Sequence, residues 1–346
     1  MLSLPRVYEP AIEAGVLRAL PEDFQVDEDL GFDLDGTGEH LWIRVRKTNA
    51  NTAWVARKLS EITGVKQKDI GFAGLKDRHA VTTQWFSLPD TAHSIDLGVG
   101  SLAPDIEILE ITRHGRKLRR GALKGNHFRI RVREAQGSAA AVEQAVGQIR
   151  HEGIPNYFGE QRFGRDGQNI EQALGLFQGT YRPRNKNEKG LLISAARSEL
   201  FNQVLAARVE QASWNLPLMG DVFQLDGSNS VFVADEIDEE IKGRVSRHDI
   251  HPTGPLWGRG RLMSHSGVSE LEQGVAATMP ELRDGLEHAG LKQERRSLRL
   301  LVSDLQVQQE AESSWVFAFF LPSGCYATSV MRELVQYTLA EQITGE

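Results

Sequence analysis

A single cysteine, Cys325, stands in 346 residues, which excludes an intramolecular disulfide and any zinc knuckle built on several thiolates, and suits a reducing compartment. Long apolar runs are also missing. The cleanest one, Trp315 to Leu321, is far short of a membrane span, and the opening MLSLPRVYEP has no apolar leader core. A cytoplasmic protein without membrane attachment is expected. Gly36-Thr37-Gly38 and Gly98-Val99-Gly100 lack the rest of either phosphate-binding glycine fingerprint. The ten histidines contain no HExxH spacing, and no serine sits in a GxSxG elbow. No metal and no other cofactor is therefore expected.

What is present is enough apolar content, 40% of the chain, to bury a full core, and a length that suggests two domains. The net charge of -7 argues at first against a polyanionic partner. Its distribution reverses that impression. Residues 1–40 hold ten acids against two bases, Arg6 and Arg18, so the rest of the chain is close to neutral. Within it, residues 111–133 carry seven arginines and two lysines with no acid. Such a run is usually a solvated face. Here guanidinium forks, which suit phosphate oxygens, predominate, and Gly115, Gly121 and Gly125 break the run into loops able to follow an irregular RNA backbone. Arg116, Lys117, Arg119 and Arg120 are the expected RNA-backbone contacts.

Periodicity predicts a half-buried strand over 41–47, with Leu41, Ile43 and Val45 inward and Trp42, Arg44 and Arg46 outward. A helix follows, with Thr52 as N-cap, Val55, Leu59 and Ile62 at helical spacing, and Gly64 as its stop. Short strands are expected at 70–72, 84–88 and 106–111. Another is expected at 128–133, with Phe128, Ile130 and Val132 on one face and Arg129, Arg131 and Arg133 on the other. Helix signals then cover 139–150, 169–177, 195–211 (Ser194 as cap), much of 271–290 and 329–342. Residues 247–261, with Pro252 and Pro255, read as loop, and 315–321 as a buried strand. Strand signals thus sit at both ends of the chain and helix signals in the middle, which favours an inserted domain over two in tandem.

The remaining chemical candidate is a carboxylate in a glycine-rich turn, Gly71-Phe72-Ala73-Gly74-Leu75-Lys76-Asp77-Arg78-His79-Ala80. Cations on either side favour the ionised form of such an aspartate, and an ionised aspartate is a ready nucleophile or base. The same sequence also serves as an ordinary solvent-facing turn. The segment Gly74 to Gln84, GLKDRHAVTTQ, resembles the GxKDxxAxTxQ signature of the tRNA pseudouridine synthase D family. Further segments resemble blocks of that family in family order: 21–24 (PEDF), 121–128 (GALKGNHF), 155–164 (PNYFGEQRFG) and 321–329 (LPSGCYATS).

The resemblance implies an isomerase that breaks the N-glycosidic bond of uridine-13 in transfer RNA, turns the base over and joins its C5 to C1′, without a cofactor. It implies Asp77 as the catalytic carboxylate, either attacking C1′ or taking a proton from C2′. It also implies Phe24, Asn126, Phe128, Tyr326 and Lys76 as residues around the flipped uridine. Many relatives carry phenylalanine where this chain has Tyr326, whose hydroxyl needs a partner. The implied fold is α+β. It combines a pseudouridine-synthase core, a mixed and largely antiparallel sheet with flanking helices (1–152 and 302–346), with an inserted helix-rich α/β domain (153–301). Transfer RNA is the expected partner, with no membrane or protein partner, and a monomer is expected. Two other readings stand beside it. A non-catalytic RNA-binding or RNA-chaperone protein would use the basic run and leave the Lys76-Asp77 turn unexplained. A hydrolase would pair Asp77 with a second carboxylate that the sequence does not reveal.

Overall fold

A computed structural model describes residues 4–340. In chain order the elements begin with β1 (Ile12–Leu17), β2 (Phe24–Asp29), β3 (His40–Thr48), α1 (Thr52–Thr63), β4 (Gly71–Phe72), β5 (Val81–Pro89), β6 (Gly100–Ala103), β7 (Ile106–His114) and β8 (Gly125–Gln136). The middle holds α2 (Ala139–Glu152), β9 (Ile154–Pro155), α3 (Gln168–Gln178), α4 (Lys186–Glu210), β10 (Val222–Leu225), β11 (Val231–Val233), α5 (Glu239–Ser246) and β12 (Ile250–Leu256). It closes with α6 (Ser266–Ala277), α7 (Pro280–His288), β13 (Glu294–Ser297) and β14 (Arg299–Leu300). The chain then adds β15 (Ser303–Ala311), β16 (Ser314–Pro322), α8 (Ala327–Leu334) and β17 (Val335–Leu339). Two compact units result. One comprises Pro10–Gly147, Val302–Gly324 and Leu334–Ala340; the other comprises Leu4–Glu9, Gln148–Leu301 and Cys325–Glu333. The class is α+β.

The first unit is organised by a sheet of eleven strands among the described residues, ordered β15-β16-β8-β2-β5-β3-β7-β6, with β1 pairing β8 and β17, and β4 pairing β5. Its pairings are antiparallel except β2 with β5 and β1 with β17. Val55 and Leu59 of α1 pack on Leu41, Ile43, Val45 and Phe86, all buried. Each such side chain contributes roughly 1.5–3 kcal/mol on burial, so this seam anchors α1 firmly against the sheet. Part of the N-terminal acidic stretch belongs to this sheet. Phe24–Asp29 lies in the sheet interior, with Val26 opposite both Phe128 and Thr82.

In the second unit the 25-residue α4 packs Leu192, Ala196 and Leu200 against Leu282 and Leu286 of α7. A four-stranded sheet, β11-β10-β12-β13, accompanies the helices. A fully buried pair, Arg208 and Asp221, bonds through both guanidinium nitrogens at 2.7 and 3.1 Å. No helix among the described residues is long and apolar enough to cross a membrane.

Several expectations are corrected. Trp42 is 1% exposed rather than outward, because Leu118 and Trp85 cover that face of β3. Asn51, not Thr52, caps α1, its side chain accepting from the Trp54 amide at 2.8 Å. α4 begins at Lys186 under an Asn185 cap, which leaves Ser194 inside the helix. Residues 250–256 form a strand despite two prolines, since a proline carbonyl still accepts: the Leu298 amide donates to the Pro252 oxygen at 2.9 Å. The last helix ends at Leu334, and the run from Val335 instead forms β17, in register with Ile12–Leu17; residue 342 lies outside the described residues.

Candidate active site

The turn that carries Asp77 leaves the short strand β4 and enters β5, and three neighbouring elements hold its backbone. Thr52, at the first position of α1, accepts from the Lys76 amide at 3.0 Å while donating to Gln84 Oε1 at 2.9 Å. Gln84 in turn donates to the Gly74 carbonyl at 3.3 Å. Lys47, 1% exposed on β3, donates from Nζ to the carbonyls of Ala50 at 2.5 Å and Asp77 at 2.8 Å. Burial pushes the Lys47 ammonium down to about 8 from its usual 10.5; the Asp77 carboxylate opposes that shift and Lys76 adds to it. The Asp77 backbone is therefore fixed by a cation in the core of the sheet.

The Asp77 carboxylate, only 17% exposed, meets Arg18 Nη2 at 3.2 Å. Arg18 lies just past β1, and its guanidinium covers the Phe24 ring at 4.2 Å. Phe24 stands edge-on to Phe128 at 6.2 Å, and Phe128 stacks on Phe319 at 5.5 Å. Lys76 points to Asn126 Oδ1 at 2.5 Å and to Glu28 Oε2 at 3.0 Å. Glu28 is buried and its other oxygen accepts from the Trp85 amide at 3.2 Å. Gly125 is required before Asn126, because a Cβ there would collide with the Leu321 carbonyl and the Phe320 ring of β16.

Five of the residues singled out from the sequence thus come together in one unit: Lys76, Asp77, Phe24, Asn126 and Phe128. Phe24 is 2% exposed beneath Arg18, so its ring serves as a floor. Tyr326 belongs to the other unit, where its hydroxyl accepts from Arg162 Nε at 2.8 Å and its ring lies 5.9 Å from Phe158. Arg162 is the partner that its hydroxyl needs.

The basic run divides in two. Arg129, Arg131 and Arg133 on β8 are ion-paired with Glu310 or Asp23, and Arg113 with Asp90 at 2.6 Å. Arg116, Lys117, Arg119 and Arg120 are exposed, and among the described residues none of the four pairs with a carboxylate. Their loop is pinned by Leu118, which is buried with its amide on Ser87 Oγ at 2.9 Å, and by the Gly121 amide on the Ala73 carbonyl at 2.8 Å. The second bond ties the cationic loop to the start of the Asp77 turn.

Arg18, Glu28, Lys47 and Phe319 escaped the sequence reading. Parity carried a usable signal for two of them. Lys47 is in phase with the inward Leu41, Ile43 and Val45, and Glu28 with Phe24 and Val26, so each places a charge on a core face. Among the described residues no cluster of three or more His, Cys, Asp or Glu is arranged to hold a metal.

Comparison with known proteins identifies the family. The sequence profile of tRNA pseudouridine synthase D (TruD) matches residues 8–177 and 168–334. A tRNA pseudouridine synthase D of Nitrosococcus oceani is 49% identical over 330 residues, covering 95% of this chain and 92% of that protein. The one from Methylococcus capsulatus is 48% identical over 335 residues, covering 96% and 94%. A crystallised candidate tRNA pseudouridine synthase D from Methanosarcina mazei, 22% identical, shares the fold with a TM-score of 0.74 over 98% of this chain and 97% of its own. With a matching profile along nearly its full length and relatives at almost half identity, the chain belongs to the tRNA pseudouridine synthase D family.

Proposed function

We propose that this chain isomerises uridine-13 of transfer RNA to pseudouridine, with Asp77 as the catalytic carboxylate. The observation that carries the reading is the setting of Asp77. Its backbone is clamped by Lys47 and Thr52, and its carboxylate faces Arg18 beside the Phe24–Phe128–Phe319 aromatic floor. A held carboxylate next to apolar ring surface is what a reaction at an unstacked nucleotide needs, because enzymes that act on a base must first take it out of its stack. Membership of the family supports the same assignment.

In this reading Phe128 offers a face to the uracil ring, and Asn126, oriented by Lys76, donates an amide hydrogen to a base oxygen. Lys76 holds Asn126 and keeps Glu28 charge-balanced. Arg18 orients the carboxylate and screens its negative charge as RNA approaches. Asp77 then either attacks C1′ with departure of uracil or removes a C2′ proton. In both routes the glycosidic N–C1′ bond breaks with its electron pair going to N1, the base turns and C5 bonds to C1′, which expels the Asp77 carboxylate from C1′ in the first route and returns the proton held by Asp77 to C2′ in the second; C5 then loses its proton and N1 gains one. Atoms and electrons balance without a co-substrate. The unit made of Pro10–Gly147, Val302–Gly324 and Leu334–Ala340 carries the chemistry, and the unit around Gln148–Leu301, which also holds Tyr326, is the insert. Arg116, Lys117, Arg119 and Arg120 follow the RNA backbone, and the enzyme works as a cytoplasmic monomer.

The test is direct. Unmodified transfer RNA incubated with the protein alone should gain pseudouridine at position 13, detected by carbodiimide labelling and primer extension. The Asp77→Asn variant should give none while binding the RNA within a few-fold of wild type. Full turnover by that variant refutes the role of Asp77. Binding without product points to an RNA-binding protein, and release of free uracil points to a hydrolase.

A further inference from the structure

A cavity of about 890 Å³ in the sheet unit, in the size range of small-molecule sites, is lined neither by Asp77 nor by the aromatic floor beside it. Its walls are aromatic: Phe32, Trp42 and His114, with Phe32 6.1 Å from Trp42 and 5.8 Å from His114. Trp42 forms the floor, its indole nitrogen fastened to the Arg116 carbonyl at 2.9 Å. Phe32 is 45% exposed and offers a free ring face. Arg116, Lys117 and Arg119 stand on the rim, and the same loop walls a second cavity, of about 560 Å³, that reaches Gly71 and Phe72 ahead of the Asp77 turn.

An isolated exposed phenylalanine needs no explanation. An exposed ring beside three cations that, among the described residues, form no ion pair with a carboxylate is a different arrangement, since such cations repel one another until an anion arrives. Aromatic faces combined with guanidinium and ammonium groups are the recurring means of holding unpaired nucleotides: the ring takes the base and the cations take its phosphate. One acid lies on the wall. Asp35 is fixed by the Gly115 amide at 2.9 Å and by His114 Nδ1 at 2.8 Å, and its side chain is half exposed. A carboxylate there accepts from an exocyclic amino group, which adenine, guanine and cytosine have and uracil lacks.

We propose that this cavity is a second nucleotide site, which stacks one everted, amino-bearing base of the bound RNA on Phe32 and seats its phosphate among Arg116, Lys117 and Arg119. The proposal rests on the chain acting on RNA, but not on Asp77 chemistry. The site would fix the register of the RNA, so that one nucleotide anchored here leaves one uridine within reach of Asp77.

The experiment uses the full chain carrying Asp77→Asn, so that bound RNA stays unreacted, and an unmodified transfer RNA transcript. Base–aromatic stacking is worth about 1–3 kcal/mol per base, so adding Phe32→Ala should weaken binding roughly 5- to 140-fold. The dependence of affinity on salt should stay the same, because no phosphate contact is lost. Phe32→Tyr, which keeps the ring face, should bind within twofold of its parent. Base-specific chemical probing should reveal an adenine, guanine or cytosine protected by the parent and reactive with Phe32→Ala. Unchanged affinity in Phe32→Ala, protection of uracils alone, or a thermal destabilisation that accounts for the lost binding each overturns the site. If these effects appear but the wild type makes no pseudouridine, the proposed reaction fails and the nucleotide site stands. Turnover at position 13 with an inert Phe32→Ala change gives the converse.

Discussion

Replacing Lys47 by methionine sets two opposing effects of known sign against each other. At neutral pH the buried ammonium is charged although its environment pulls it down to about 8 from 10.5, a shift equivalent to roughly 3 kcal/mol of lost stability. That loss is complete below pH 8, where folded and unfolded chains both hold the proton. It is relieved as pH rises from 8 to 10.5, where the unfolded chain binds more protons than the folded one. Lys47→Met removes the loss, but also removes two charge-assisted hydrogen bonds, to the Ala50 and Asp77 carbonyls, worth about 1.5–3 kcal/mol each. The net change in urea stability at pH 7 should therefore stay within about 2 to 3 kcal/mol, and its direction should be destabilising. The wild-type minus variant difference should then climb by about 3 kcal/mol between pH 8 and 10.5. Turnover should fall far more, on the order of 100-fold, because the Asp77 backbone loses its clamp while RNA affinity does not depend on it. A difference curve that is flat from pH 7.5 to 10.5 would show that Lys47 titrates as an ordinary lysine and would refute the argument from burial.

Three further outcomes are expected. Neutralising Arg116, Lys117, Arg119 and Arg120 together should weaken RNA binding and flatten its log–log salt slope by about three units, at 0.7–0.9 per phosphate contact, with little change in thermal stability; an early-unfolding variant with the wild-type slope would place the RNA track elsewhere. Asp221→Ala should destabilise the protein by about 3–5 kcal/mol, because it strands the buried Arg208 guanidinium; calorimetry showing less than 1 kcal/mol would mean that water reaches that pair. Arg18→Met should lower kcat more than it raises KM, since Arg18 meets the carboxylate rather than an exposed RNA track; a pure KM effect would make it an RNA-binding residue.

Local pattern made much of this fold legible. The alternation in 128–133, the Gly64 stop and the helical spacing in 139–150 all depend on neighbours in sequence, and the structure agrees with them. What escaped depends on distant partners. Residues 24–29 are acidic at three of six positions, a composition that gives no strand signal, yet β8 and β5 flank them and bury Glu28 beside Lys76. Alternation alone points Trp42 outward, because the loop that covers it is 74 residues away. The basic run looked uniform because Glu310, which neutralises part of β8, arrives from the far end of the chain. At the candidate site, the family-like turn is visible in sequence and parity marks Lys47 as a charge on a core face, while nothing local joins residue 18, 47 or 319 to residue 77.

The parallel pairing of β1 with β17 and the seating of β16 on β8 also set a schedule for biosynthesis. When a ribosome has just released β8, the strand that completes its open edge and brings Phe319 onto Phe128 is still about 180 residues away. At elongation rates of about 5–20 residues per second, that is a wait of roughly 10–40 s. Throughout that interval the nascent chain holds the Asp77 turn without the last ring of its aromatic floor and presents an unpaired strand edge, the kind of surface that chaperones shield and that aggregates form on. The competence of this chain to process RNA is thus deferred until translation is nearly finished, and mutations that slow the docking of its last strands should lower its yield in cells before they alter the rate of the enzyme that does fold.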